Sequence, residues 1–201
     1  KLLCDSTFYA DGMTRGQTAG IELGGIAHEI GHAFGLPHHE APDIMGWHHN
    51  FGAYYANCTV SGPYWSGVTY PPLGPDDSLV LSNSRFFGQT SEILTDASKP
   101  SLTVDLASTI SPNITSVPIT YSASDSQSGL SVLMVQISGT DYGGNGVAYI
   151  DLRNKGNSTN NTYNLVPIRP FANNANYTFI FTLFDKSSNL ISLSKTVHTS
   201  Q

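Results

Sequence analysis

The eleven residues from His28 to His38 constrain this chain more than any other stretch. They read His-Glu-Ile-Gly-His-Ala-Phe-Gly-Leu-Pro-His, the pattern H-E-x-x-H-x-x-G-x-x-H. On a helix, His28 and His32 stand one turn apart on the same face. Gly35 can take a positive φ and end that helix. Pro37 cannot continue it, so the chain turns and swings His38 back toward the other two. Imidazole nitrogens bind Zn²⁺ at about 2.0–2.1 Å, and three protein ligands leave the fourth position open, as catalytic zinc sites require. Glu29, beside the first ligand, is placed to act as general base on a zinc-activated water.

This motif resembles that of the metzincin zinc peptidases, whose signature adds a methionine turn after the third histidine. Met45, in Asp43-Ile44-Met45-Gly46, matches that turn. The short loop from His38 to Met45 resembles a fungal-type zinc peptidase group more than the matrixins or astacins. The resemblance implies an α+β zincin-like catalytic region, with Met45 as an apolar floor under the metal. Such domains place several strands and a helix ahead of the zinc helix, and here only 27 residues precede His28. The expectation is therefore a catalytic region lacking its upstream strands, as in a fragment, a processed product or a reduced domain.

Composition narrows the function class. The net charge is −6 and only 12% of the 201 residues are charged. With no Lys/Arg run, the chain offers nothing to nucleic acid or to an anionic membrane surface. No apolar run approaches a membrane span, so membrane insertion is not expected. Small polar residues in place of charges suit a secreted protein. Five glycosylation sequons, at Asn57, Asn113, Asn157, Asn160 and Asn176, point the same way. Cys4 and Cys58 are the two cysteines, and they are either a disulfide of an oxidising compartment or two buried thiols.

Along the chain, a short edge strand is expected near Thr7–Ala10. The active-site helix follows over 21–34, with Ile26, Ile30 and Ala33 on its core-facing side. Gly24 and Gly25 are poor helix formers, which suggests close approach of another element. His39 is a weaker alternative to His38 as ligand, and His48 and His49 read as solvated or ligand-supporting groups. Glu40 or Asp43 is a candidate to orient a ligand imidazole. Trp47 occupies the place where astacin-type sites carry a ligand tyrosine. Tyr54 and Tyr55 are candidates to donate to the oxyanion of the transition state, with simple packing as the alternative. A second helix is expected from Pro75 to about Phe87, capped by Asp76 or Asp77 and closed by Gly88. The catalytic region then spans 1–88, followed by a linker over 89–100.

From residue 101 the pattern changes to short β-branched and aromatic runs parted by Ser, Asn, Asp and Gly. Seven strands are expected, at Leu102–Leu106, Val117–Ala123, Ser131–Ser138, Val147–Leu152, Tyr163–Ile168, Tyr177–Phe184 and Leu190–Val197. Tyr177, Phe179, Phe181 and Leu183 alternate with Thr178, Ile180, Thr182 and Phe184, and the first set should face a core. The spacing predicts a two-sheet sandwich over 101–201. The Asp125–Gly129 turn and the run from Tyr177 through Asp185 to Asn189 resemble Ig-like or fibronectin-III-like modules. That module reads as a spacer, or as a dock for a protein or glycan.

The sequence thus points to a secreted zinc endopeptidase acting on proteins or peptides. Two other classes remain open. One is a zinc-containing binding or adhesion protein with a degenerate cleft. The other is a non-proteolytic zinc amidase, which a panel of small amides would distinguish from a peptidase.

Overall fold

The computed structural model describes residues 7, 15–38, 43–46, 73–82, 87, 95–140, 142 and 145–200. The chain divides into two compact units, Lys1–Ser78 and Leu79–Gln201. Two helices are described, α1 (Arg15–Ala33) and α2 (Pro75–Ser82), together with eight strands. The strands are β1 (Ser101–Asp105), β2 (Thr109–Ile110), β3 (Val117–Ser124), β4 (Leu130–Ser138), β5 (Asn145–Asp151), β6 (Ser158–Leu165), β7 (Asn176–Asp185) and β8 (Leu190–Thr199).

This architecture corrects the expected fold class. The described structure is predominantly β, and among the described residues the first unit contains no strand. It is not the α+β zincin-like (metzincin) catalytic region that the motif implied. The physical reason lies in where the strand-forming residues sit. The recurrent β-branched and aromatic runs begin only after residue 100, and the histidine motif specifies one helix and one turn, not a sheet.

In the second unit, β1, β3 and β6 form one antiparallel sheet in the order β1-β3-β6. The other sheet runs β2-β8-β7-β4-β5 and is antiparallel except for the β2–β8 pair. Alternate residues of β3, namely Val117, Ile119, Tyr121 and Ala123, are buried, while their neighbours point outward. Tyr177, Phe179, Phe181 and Leu183 of β7 are wholly buried, as their alternation predicts. They meet Ile119, Tyr121, Leu133, Val135 and Ile137 in one core. From Leu130 to Val135, β4 is buried on both faces, and its apolar residues run without a break from Val132 to Val135.

Some details differ from the sequence reading. β2 went unpredicted because two residues carry no periodic signal. β6 lies at Ser158–Leu165 rather than Tyr163–Ile168, because Ser-Thr-Asn-Asn-Thr-Tyr-Asn-Leu is an almost wholly polar edge strand. α2 is described from Pro75 to Ser82, with Asp76 and Asp77 in its first turn, while Gly88 lies outside the described residues. Thr7 belongs to no strand, and 8–10 are also outside. No helix among the described residues is long and apolar enough to cross a membrane.

Candidate metal centre

The helix that carries the motif buries an unexpected face. Ile26 and Ile30 are 58% and 52% exposed, and Ala33 is exposed too. The buried positions are Gly16, Gly20, Gly24, His28 and Gly31, a stripe with spacings of four and three. Glycine has no side chain to register as hydrophobic, so the pattern of Ile26 and Ile30 pointed to the wrong side. It also explains why α1 begins at Arg15 despite Gly16, Gly20, Gly24 and Gly25. Close burial of a bare backbone outweighs a propensity cost of about 1 kcal/mol per glycine. Gly25 is not part of that approach, since a Cβ there would meet nothing within 4 Å.

The end of α1 follows the motif closely. Gly35 adopts φ 86°, a conformation that L side chains rarely take. The Gly35 N–H donates to His32 O at 2.9 Å and the Leu36 N–H to Gly31 O at 3.1 Å. These two bonds form a Schellman cap, and they turn the chain so that His38 returns to the helix face.

The three histidines converge. The Nε2 atoms of His28 and His38 are 2.9 Å apart, and each lies within 3.0 Å of His32 Nε2. His28 is buried, His32 half-buried and His38 exposed, so the site opens on one side. The far nitrogens fix the protonation. His28 Nδ1 stands 2.7 Å from Ile44 O, and His32 Nδ1 stands 2.8 Å from Leu36 O. A carbonyl oxygen can only accept, so each Nδ1 carries the proton. In the neutral ring, Nε2 is then a bare lone pair. At least two such lone pairs face each other at 3.0 Å with no proton between them, an arrangement that is repulsive without a cation. A metal ion held by His28, His32 and His38 would relieve that repulsion. The donor set therefore fits a metal ion.

The two carbonyls that set these tautomers could not be read from the sequence, because any residue type supplies a backbone carbonyl. Ile44 belongs to the turn that carries Met45, so this turn holds the His28 ring in one orientation. Asp43 shapes the turn, since its Oδ1 accepts from Met45 N–H at 3.0 Å and from Gly46 N–H at 3.3 Å. This places Asp43 as a support of the turn that holds His28, one step removed from the role considered for it.

Met45 is fully buried beneath α1 at Gly31. A Cβ at position 31 would collide with Met45 Sδ and lie 3.1 Å from its Cε. Gly31→Ala is therefore expected to push the turn away from α1, and Ile44 O with it. Losing an outer partner of a ligand histidine typically costs 10–100-fold in metal affinity. Competition with a chromophoric chelator would measure that loss, while an unchanged affinity would mean that Met45 alone yields.

Glu29 follows His28 on α1 and is exposed. Among the described residues, it lines an open groove of about 620 Å³ along α1 with Glu22, Gly25, Ile26, Ile30 and Ala33. Asn113, Asn157, Asn160 and Asn176 are all exposed. Cys4, Cys58, Asn57, Tyr54, Tyr55, His39, Glu40, Trp47, His48 and His49 lie outside the described residues.

No protein-family model matches this chain, and no curated protein does either. Solved structures do share its fold. OgpA from Akkermansia muciniphila superposes with a TM-score of 0.65 at 20% sequence identity, covering 93% of this chain and 52% of that one. A second crystal form of wild-type OgpA gives 0.64 at 21% identity. A catalytically inactive OgpA in complex with an O-glycopeptide (glycodrosocin) substrate gives 0.64 at 17% identity. This chain spans about half the length of these structures. The likeness is one of fold.

Proposed function

We propose that this chain hydrolyses peptide bonds as a zinc-dependent peptidase. The observation that carries this reading is the convergence of three histidine Nε2 atoms within 3.0 Å, with Glu29 following His28 directly in the sequence. An open nitrogen set with three protein ligands suits Zn²⁺ among the common biological metals. Zinc bound there supplies a Lewis acid that polarises a carbonyl and lowers the pKa of water. The Glu29 carboxylate takes a proton from the attacking water and returns it to the leaving amine nitrogen. His28 and His32 are held in one tautomer by Ile44 O and Leu36 O, so both present a lone pair without rearrangement. The site's motif resembles that of the metzincin peptidases, which is a likeness of the site and not of the fold.

The shared fold with a protein crystallised on an O-glycopeptide supports a peptide substrate, and one bearing an O-glycan in particular. We read the chain as extracellular, on its low charge and the exposure of Asn113, Asn157, Asn160 and Asn176. The test is a matched pair of synthetic peptides, with and without an O-linked glycan on one Ser or Thr, followed by mass spectrometry. Cleavage beside the glycosylated residue supports the reading. Cleavage of neither peptide, nor of casein, contradicts it.

A further inference from the structure

A second cluster of ligand-type side chains lies in the sandwich unit and plays no part in the proposed hydrolysis. Asp96, Asp125 and Asp185 each offer a carboxylate oxygen, and these oxygens lie within 4.8 Å of one another. They come from distant parts of the chain. Asp96 lies ahead of β1, Asp125 follows β3, and Asp185 closes β7. Their exposures are 4%, 5% and 0%. Among the described residues, none of the three forms an ion pair. A buried carboxylate is costly unless it is paired or coordinates a metal.

The existing hydrogen bonds account for only part of this charge. Asp96 Oδ1 accepts from the N–H and hydroxyl of Ser98, and its Oδ2 accepts from Ser128 N–H. Asp185 Oδ1 accepts from the N–H groups of Ser187 and Asn189, and its Oδ2 from Asn189 Nδ2. Asp125 Oδ2 accepts from Gln127 N–H at 3.0 Å and from Gly129 N–H at 2.6 Å. Asp125 Oδ1 is different, being buried with no hydrogen-bond partner at all. A carboxylate oxygen sealed from water, within a few ångströms of two further carboxylates, lacks a positive counterpart. Consistent with that, burial pushes the Asp185 carboxyl above its ordinary range, and the Asp125 carboxylate adds to the rise.

We propose that Asp96, Asp125 and Asp185 hold a Ca²⁺ ion at the end of the sandwich where the segment before β1 meets the β3–β4 and β7–β8 turns. The ligand chemistry is all-oxygen and anionic, which suits a hard divalent cation and not the zinc of the histidine site. Calcium tolerates irregular carboxylate geometry at 2.3–2.6 Å, whereas magnesium demands a near-octahedral shell and keeps most of its water. The bound ion pins three loops together and stabilises the sandwich unit without touching the hydrolytic chemistry.

The test uses the whole chain, zinc-saturated and freed of calcium. Calcium uptake is measured by equilibrium dialysis with elemental analysis, and melting is followed as CaCl2 or MgCl2 is added. The expected result is one calcium per chain and a rise in Tm on the order of 5–10 °C at saturation. Asp125→Asn should abolish both, and Asp96→Asn, outside the strands, should do the same if the first variant fails to fold. No uptake by the wild-type chain overturns the proposal. So does uptake that survives both substitutions, or an equal response to magnesium.

Discussion

Replacing Glu29 with Gln is expected to lower peptide cleavage by about 10²–10⁴-fold, the range for loss of a general acid–base group. Metal content should not change. Glu29 is exposed and lies off the buried stripe of α1, and the three converging nitrogens belong to His28, His32 and His38. Gln keeps the size and polarity of the side chain but cannot accept the proton. The informative measurement is kcat, with metal quantified in the same preparation. A variant that keeps its metal and loses turnover places the proton on Glu29. A variant that cleaves as fast as wild type removes Glu29 from the chemistry, and a variant that loses metal assigns it a supporting role instead.

The second large effect concerns stability. Tyr177→Ala is expected to destabilise the sandwich unit by roughly 3–5 kcal/mol, as for other large aromatic truncations in cores. Tyr177 is fully buried at the centre of an aromatic group. Its ring meets Phe171 edge-on at 4.9 Å and Tyr142 at 5.7 Å between centroids. Gly139 leaves it room, since a Cβ there would collide with the ring. Its hydroxyl also accepts from Ala172 N–H at 2.7 Å. Tyr177→Phe removes only that acceptor and should cost about 1 kcal/mol. For a unit of this size the two variants should differ in Tm by roughly 10 °C. Equal Tm values for the two would contradict the packing argument.

How much of this was legible beforehand differs from element to element. His28, His32 and His38 meet as their spacing demands, because a helical turn and a glycine cap are local rules. Met45 packs under α1 for a reason written partly in Gly31, whose missing side chain makes room for it. The buried face of α1 was misread because the signal for burial is hydrophobicity, and glycine emits none. In the sandwich, β7 was plain from its run of β-branched and aromatic residues, while β6 was misplaced because polar edge strands carry little pattern. The fold class was misjudged for a different reason. A catalytic motif reports on the chemistry of eleven residues, and many folds can present the same site. The Asp96–Asp125–Asp185 cluster was invisible because its members come together only when the two sheets close. The Asp125 and Asp185 turns were visible singly, but their meeting was not.

The proposed hydrolysis requires the three histidines to hold zinc. The most direct measurement quantifies zinc per chain and casein cleavage in one sample, before chelation, after chelation and after zinc is restored. One zinc is expected at the histidine site, with cleavage that disappears when it is removed and recovers on its return. A chain that takes up no zinc, or that cleaves equally well without it, would contradict the account.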